Sequence, residues 1–498
     1  MPSNSPDPIE KKDRNVLRSM LGDFRDLIRF VLGSLLGATI VIVIAYIIYL
    51  QKRPDLKTWH TTLLDEEFSV HSSVDTFEAY LDLEEKLFKE LKEEILDKIE
   101  DEDKTEINRF HVGSLSDPNR WSQNWNRTFE FKVEKPRGGI LLLHGLSDSP
   151  YSLRSIGERL RDEGHWVVGL RIPGHGTAPS GLTQTKWEDM AAAVRIGMQH
   201  LKENLGDKPL FVVGYSNGGA LALNYTLNTL ITGNGRTPDK IVLFSPAVAI
   251  TSLARVASWH RFLSWIPYFE KNKWLRIEPE FDPYKYNSTP QNAAAQTWFL
   301  TVGLRSKLHL AAKRGYLDKF PPVLTFQSVV DATINERAIP SLLYDNLPTN
   351  GSELVLFDIN NLATLEGLFT RGYRNAIQHF ERREDLPYTW TVVTNESDVS
   401  RGVVARTTLP KSCQITSTPL DLEWPRQVYS LAHVSVPFPP DDPIYGRVLD
   451  PKGDPRMRLG NLAFRGEMGV LSVKSDQLMR LRYNPFHEFM VRRIGEWL

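Results

Sequence analysis

The stretch Leu210-Phe211-Val212-Val213-Gly214-Tyr215-Ser216-Asn217-Gly218-Gly219-Ala220 passes from an apolar strand pattern into a small-residue helical pattern, with Gly-x-Ser-x-Gly at the join. A serine at such a sharp strand-to-helix turn carries its hydroxyl clear of both elements, which is the layout of a nucleophile elbow. Glycine is needed on either side because larger residues would collide with the neighbouring strand and helix. Ser216 is therefore the candidate nucleophile.

Outward from the elbow the chain alternates strand and helix. Arg127 to Val133 reads as a first strand, followed by Gly139 to His144 (GILLLH) and Trp166 to Arg171. Ile241 to Ser245, Val323 to Val330 and Leu354 to Asp358 supply strands after the elbow. Leu153 to Asp162, Trp187 to Leu201 and Ala220 to Leu230 read as helices between them. Near-continuous apolar strands separated by helices imply an α/β fold with a mostly parallel central sheet and helices on both faces. In such sheets reactive groups gather at the carboxyl ends of the strands. Residues 249 to about 315 interrupt the rhythm between two core strands, where an inserted cap is expected. Their aromatics, among them Trp259, Phe262, Trp265, Trp274, Phe281 and Tyr284, suit a helical core, with some available to line an apolar pocket.

Acyl transfer needs a nucleophile, a base to accept its proton, an acid to orient that base, and donors for the oxyanion. With an elbow nucleophile the chain order is serine, acid, histidine. The strand GILLLH ends in His144-Gly145-Leu146-Ser147-Asp148, and a His-Gly turn there brings a backbone N–H toward the serine. The expected oxyanion donors are the N–H groups of Leu146 and Asn217, with His144 supporting the loop. Asp331 ends the apolar segment opened by Pro321-Pro322, so it is the expected acid. Three histidines follow it: His379, His433 and His487. His379 lies in a charged helical stretch, Asn375 to Arg383. His433 ends a strand-like run, Val428 to His433, beside the proline-rich loop Val436-Pro437-Phe438-Pro439-Pro440, which would hold an imidazole in one orientation. His487 starts the last helix. His433 is placed ahead of His487 as the base.

Composition narrows the partners. A net charge of -1 gives no reason to expect nucleic acid. A single cysteine, Cys413, excludes an internal disulfide and a Cys-rich metal site. Phe30 to Leu50 holds no charged residue, and at about 1.5 Å per residue it crosses a hydrocarbon core of roughly 30 Å. It runs into Tyr-Ile-Ile-Tyr-Leu-Gln-Lys-Arg, a poor cleavage site, so an uncleaved transmembrane helix is expected rather than a signal peptide. Lys11, Lys12, Arg14, Arg18, Arg25 and Arg29 precede it, against Lys52, Arg53 and Lys57 after it. The excess predicts a cytoplasmic tail over 1–29, a span over 30–50, and the rest outside the cytoplasm, in the periplasm of a bacterium. Residues 51–110 are expected to form a helical arm or stalk. Phe77, Tyr80, Leu81, Leu87, Phe88, Leu91, Ile95 and Ile99 fall roughly on one face of it, with Asp75 and Glu78 as a capping pair. Docking on the domain fits its irregular spacing better than a dimerising coiled coil. The catalytic domain is expected over 111–498, with added β segments at about 385–480.

His144-Gly145, Arg171-Ile172-Pro173-Gly174-His175-Gly176, Gly214-Tyr215-Ser216-Asn217-Gly218-Gly219 and Asp331 resemble the α/β-hydrolases of the monoglyceride lipase/lysophospholipase type, also called serine aminopeptidase S33-like. The resemblance covers about residues 127–345. It implies the α/β-hydrolase fold with an inserted cap and a carboxylic-ester hydrolase that uses no metal or organic cofactor. It also implies Ser216 as nucleophile, Asp331 as acid, and Leu146 and Asn217 as oxyanion donors. Family members carry the histidine soon after the strand that follows the acid. Here that strand ends in Asp358-Ile359-Asn360-Asn361, and about a hundred residues separate Asp331 from His433. The expectation is a membrane-anchored esterase or lipase acting on a small-molecule or lipid ester. A peptidase or thioesterase would use the same triad, and a catalytically inactive, membrane-bound binding protein is the reading from a different class.

Overall fold

The computed structural model describes residues 8–248, 267–331, 338–369, 386–447, 457–460, 471, 473 and 475–498. Trp259, Phe262, Trp265 and His379 lie outside the described residues. The chain divides into two compact units, Met1–Asp55 and Leu56–Leu498.

Most of the described part of the first unit is the helix α1 (Pro8–Gln51). It starts well before the expected span, because Lys, Arg, Leu and Met in the N-terminal segment are good helix formers and proline is tolerated at a first helical position. From Ser19 to Gln51 it is long and apolar enough to cross a membrane. Phe30, Leu32, Leu36, Val41 and Ile42 are exposed along it.

In the second unit a single helical turn, Thr58–Thr61, precedes α2 (Phe77–Glu94). Its cap is Thr76, whose hydroxyl accepts the Ala79 N–H at 3.2 Å. The expected cap at Asp75 is thus one residue early, since the hydroxyl of Thr76 is the group within reach of the third helical N–H. Phe77, Tyr80, Leu87, Phe88 and Leu91 are buried, so this face is used within the unit and leaves no seam for a partner helix. Glu84 and Glu67 hold the buried Arg171. Its Nε donates to Glu84 Oε2 at 3.0 Å and its Nη2 to Glu67 Oε1 at 3.0 Å. A buried guanidinium is tolerated only when paired in this way.

Among the described residues the main sheet has ten strands. In chain order they are β1 (Phe129–Phe131), β2 (Gly139–Leu143), β3 (Trp166–Leu170), β4 (Leu210–Tyr215), β5 (Lys240–Phe244), β6 (Val323–Ser328), β7 (Glu353–Phe357), β8 (Thr389–Asn395), β9 (Gly402–Thr408) and β10 (Ile415–Glu423). Their spatial order is β1-β3-β2-β4-β5-β6-β7-β8-β9-β10. Every pair from β3 to β8 is parallel, and the outer pairs β1–β3, β8–β9 and β9–β10 are antiparallel. β2, β4, β6 and β7 are buried along their whole length, as strands covered on both faces must be. The covering helices include α3 (Arg154–Asp162), α4 (Trp187–Leu205) and α5 (Asn217–Thr232). Between β5 and β6 lie a short ribbon, Trp274–Arg276 with Thr289–Pro290, and α6 (Gln291–Lys313). In this insertion Trp274, Phe281, Tyr284 and Tyr286 are buried.

The added β segments are β8 to β10, which widen the sheet beyond β7. Among the described residues no strand lies between Glu423 and α7 (His487–Trp497). The run Val428 to His433, expected to be strand-like, is a loop ending in a 3-10 turn at His433–Ser435. Its carbonyls are taken up without a ladder partner. Asn360 donates from its side chain to the Val428 carbonyl and from its N–H to the Tyr429 carbonyl, each at 2.8 Å. Ser328 Oγ donates to the Leu431 carbonyl at 3.1 Å. The loop therefore runs across the carboxyl ends of β6 and β7.

Candidate active site

At the join of β4 and α5, Ser216 has φ 52° and ψ -113°. This left-handed backbone costs a non-glycine residue about 1–3 kcal/mol and persists only where its surroundings enforce it. Here they do. The Ser216 N–H donates to the Phe244 carbonyl at 2.9 Å, and its carbonyl accepts from Ala220 and Ala247. A Cβ on Gly218 would lie 2.0 Å from the Leu143 carbonyl oxygen, and one on Gly214 would lie 2.6 Å from the Gly219 Cα. Between Leu210 and Leu227 every residue except Ser216 is buried. The turn thus exposes that one side chain.

Asp331 follows β6 after a two-residue turn, in which the Val329 N–H donates to the Phe357 carbonyl at 3.0 Å. Asp331 Oδ2 lies 2.6 Å from His433 Nδ1, and both residues are buried. The carboxylate is the acceptor, so Nδ1 carries the proton and Nε2 is left as the basic nitrogen. The imidazole also lies beside the residue that precedes the elbow serine. The Tyr215 and His433 rings are 5.4 Å apart, and Tyr215 Oη donates to the His433 carbonyl at 3.4 Å. These contacts bring Asp331 and His433 together next to the turn that bears Ser216. His487 is elsewhere in the site's surroundings: it is buried at the start of α7 and bonded to the Pro437 carbonyl, and burial pushes its imidazole down to about 4.

The loop after β2 carries Leu146. Ser147 has φ 62°, its carbonyl accepts the Tyr286 N–H at 2.8 Å, and Asp148 pairs with Lys285 Nζ at 2.7 Å. Among the described residues neither the Leu146 nor the Asn217 N–H donates to a backbone carbonyl. For Asn217 the reason is general, since the first N–H groups of a helix have no intrahelical acceptor. His144 supports the loop from below. Its Nε2 accepts the Ile172 N–H at 3.0 Å and its Nδ1 faces the Gly145 carbonyl at 2.9 Å. Burial holds it well below the ordinary histidine range, so it stays neutral. His175, buried against the Ile172 and Pro173 carbonyls, is pushed down to about 4 for the same reason. Among the described residues the only group of carboxylates close enough to share a cation is Glu100, Glu102 and Asp103, where Lys57 pairs with Glu102 and Asp103.

A family model described as "Serine aminopeptidase, S33" matches residues 134–296, which include the elbow and the loop with Leu146. A thermostable monoacylglycerol lipase from Bacillus sp. (strain H-257) is 29% identical over 36% of this chain and 67% of its own length. The chain has an α/β-hydrolase fold. A carboxylesterase from Bacillus subtilis (strain 168) is 23% identical over 44% of this chain and 82% of its own length. The solved structure of a monoacylglycerol lipase from Paleococcus ferrophilus is 18% identical, covering 46% of this chain and 86% of that one, with a TM-score of 0.34.

Three residues that sequence reasoning did not single out position His433: Tyr215, Ser328 and Asn360. Asn360 stands in the Asp358-Ile359-Asn360-Asn361 turn after β7. An Asn pair closing a buried strand, where a histidine was expected, is the signal that this turn receives another segment of chain.

Proposed function

We propose that this protein is a membrane-anchored serine hydrolase that cleaves carboxylic esters, including lipid-like acyl esters, through an acyl-enzyme. The reading is carried by the 2.6 Å contact between His433 Nδ1 and Asp331 Oδ2 beside the elbow of Ser216. Ser216 Oγ attacks the ester carbonyl carbon while its proton passes to His433 Nε2. The oxyanion that forms accepts hydrogen bonds from the Leu146 and Asn217 N–H groups. His433 then gives the proton to the departing alkoxide, the C–O bond breaks, and the acyl group remains on Ser216. Water, deprotonated by His433, attacks the acyl-serine carbonyl carbon; the bond to Ser216 Oγ then breaks as His433 returns the proton to Oγ, and the acid is released. Asp331 keeps Nδ1 protonated and stabilises the imidazolium in both halves of the cycle.

The α1 helix anchors the enzyme with its N-terminus in the cytoplasm and the domain outside it, following the excess of Lys and Arg before the span. Hydrolysis of p-nitrophenyl esters of graded chain length by the purified protein, abolished in Ser216→Ala, is the expected result. Folded protein that hydrolyses none of them and instead retains unmodified esters would support the inactive binding protein. A C-terminal alkaline phosphatase fusion is expected to be active in a bacterial host, and an expressed but inactive fusion would reverse the orientation.

A further inference from the structure

Beside the oxyanion loop and the histidine loop lies a cavity of about 130 Å³. Ser147 and Tyr215 line it on one side and Val434, the residue after His433, on another. A space of this size holds about one small ring, and its wall is too rich in charge for an acyl chain. Four cations face it: Arg276, Lys285, Arg480 and Arg482. Two are committed, since Lys285 pairs with Asp148 at 2.7 Å and Arg276 with Glu278 at 3.4 Å. Asp282, the third carboxylate of the wall, accepts the Tyr445 hydroxyl at 2.6 Å and the Tyr284 and Lys285 N–H groups on Oδ1, while its Oδ2 is buried without a hydrogen-bond partner and its charge interacts with that of Arg482. Arg480, an exposed residue, and Arg482, half-buried and within electrostatic reach of Asp282, make no hydrogen bond with a described side chain, and the Nε of Arg482 is buried without a partner. A buried guanidinium N–H without an acceptor is costly, and an oxyanion entering the cavity would supply that acceptor to the Arg482 Nε–H.

Resting on the hydrolase reading above, we propose that this cavity receives an anionic group, a phosphate or a carboxylate, on the alcohol portion of the ester, held by Arg480 and Arg482. The acyl chain then extends from Ser216 in another direction, and the enzyme prefers acidic esters over neutral ones with the same acyl chain.

Two measurements test this separately from catalysis. Isothermal titration of the full protein with glycerol 3-phosphate, glycerate and glycerol asks whether the cavity binds an anion. Saturable binding of one or both anions, with none of glycerol, is expected, and the stronger of the two identifies the group. The double variant Arg480→Gln/Arg482→Gln, shown to be folded by its circular dichroism and melting, should weaken that binding at least tenfold. Equal, absent or variant-insensitive binding overturns the proposal whether or not the protein hydrolyses esters. The second measurement compares kcat/KM for a 1-acylglycerol and for the same compound bearing a 3-phosphate or a carboxylate. The expected ratio favours the anionic ester and falls at least tenfold in the double variant, mainly through KM. A ratio of one with both esters cleaved sinks the anionic subsite and leaves the hydrolase standing. Cleavage of neither, with Ser216 intact, sinks the hydrolase reading, and the titration alone then decides the cavity.

Discussion

Replacing Asp331 by Asn tests the proposed relay at its most exposed joint. Asp331 is buried, and its Oδ2 sits 2.6 Å from His433 Nδ1. An amide in the same place removes the negative charge that faces the imidazolium when Ser216 is attacking. A pair of unit charges about 4 Å apart at an effective dielectric near 20 is worth about 4 kcal/mol, and about 1.4 kcal/mol is tenfold in rate, which gives a loss near 10³. The amide also lets an N–H face Nδ1, so that the proton moves to Nε2 and the nitrogen needed by Ser216 is blocked. In a Ser-His-Asp triad that combined change costs about 10⁴ in kcat. The expected result for Asp331→Asn is therefore a kcat for p-nitrophenyl ester hydrolysis reduced by about 10³–10⁴, with KM little changed and the melting temperature close to that of the parent. Asp358 is the matched control. It is also a buried carboxylate at a strand end, but it is engaged by Thr394 Oγ1 at 2.7 Å and by the Ile359 N–H at 2.8 Å. Asp358→Asn should keep kcat within about tenfold of the parent by the same reasoning. Folded Asp331→Asn within tenfold of the parent, or a larger loss in Asp358→Asn, would refute the assignment of the acid.

Gly218→Ala places a methyl 2.0 Å from the Leu143 carbonyl oxygen, a backbone atom that has no room to move; the variant is expected to lose soluble expression or melt well below the parent, and a normal melting curve would contradict the packing of the elbow. Glu280 is buried and burial pushes its carboxyl up to about 7, so the folded state binds its proton more tightly than the unfolded state. Its contribution to stability is full below about pH 4 and is lost as pH rises through 7. Urea unfolding of the Leu56–Leu498 unit, followed in the full protein, should therefore show stability falling over that window, less steeply in Glu280→Gln, and an equal slope in both proteins would refute the burial argument.

The parts of the site that local sequence encodes were legible. The elbow is a contiguous motif whose glycines are explained by contacts within a few ångströms, and Asp331 follows its strand by a short turn. The largely parallel sheet follows from apolar runs that are buried on both faces. His433 was harder because its place depends on contacts between distant segments. The run Val428 to His433 has a strand's composition, yet Asn360 and Ser328 hold it as a crossing loop. The cap at Thr76 against Asp75 is a matter of which side-chain oxygen reaches an N–H, a difference of one residue that composition does not resolve. Arg171 appeared only as part of a turn motif, and its two carboxylate partners stand 104 and 87 residues away in the chain. The buried, unpartnered Nε of Arg482 was invisible for the same reason, since charge is legible in sequence and the lack of a partner is not.

The central claim is that Ser216 is a nucleophile activated by His433. Labelling of the purified protein with a fluorophosphonate, followed by mass spectrometry of the modified peptide, tests it most directly. The account predicts one phosphonylated residue, Ser216, with labelling abolished in Ser216→Ala and strongly slowed in His433→Ala but not in His487→Ala. Folded protein that takes up no label, or label carried on another residue, would contradict it.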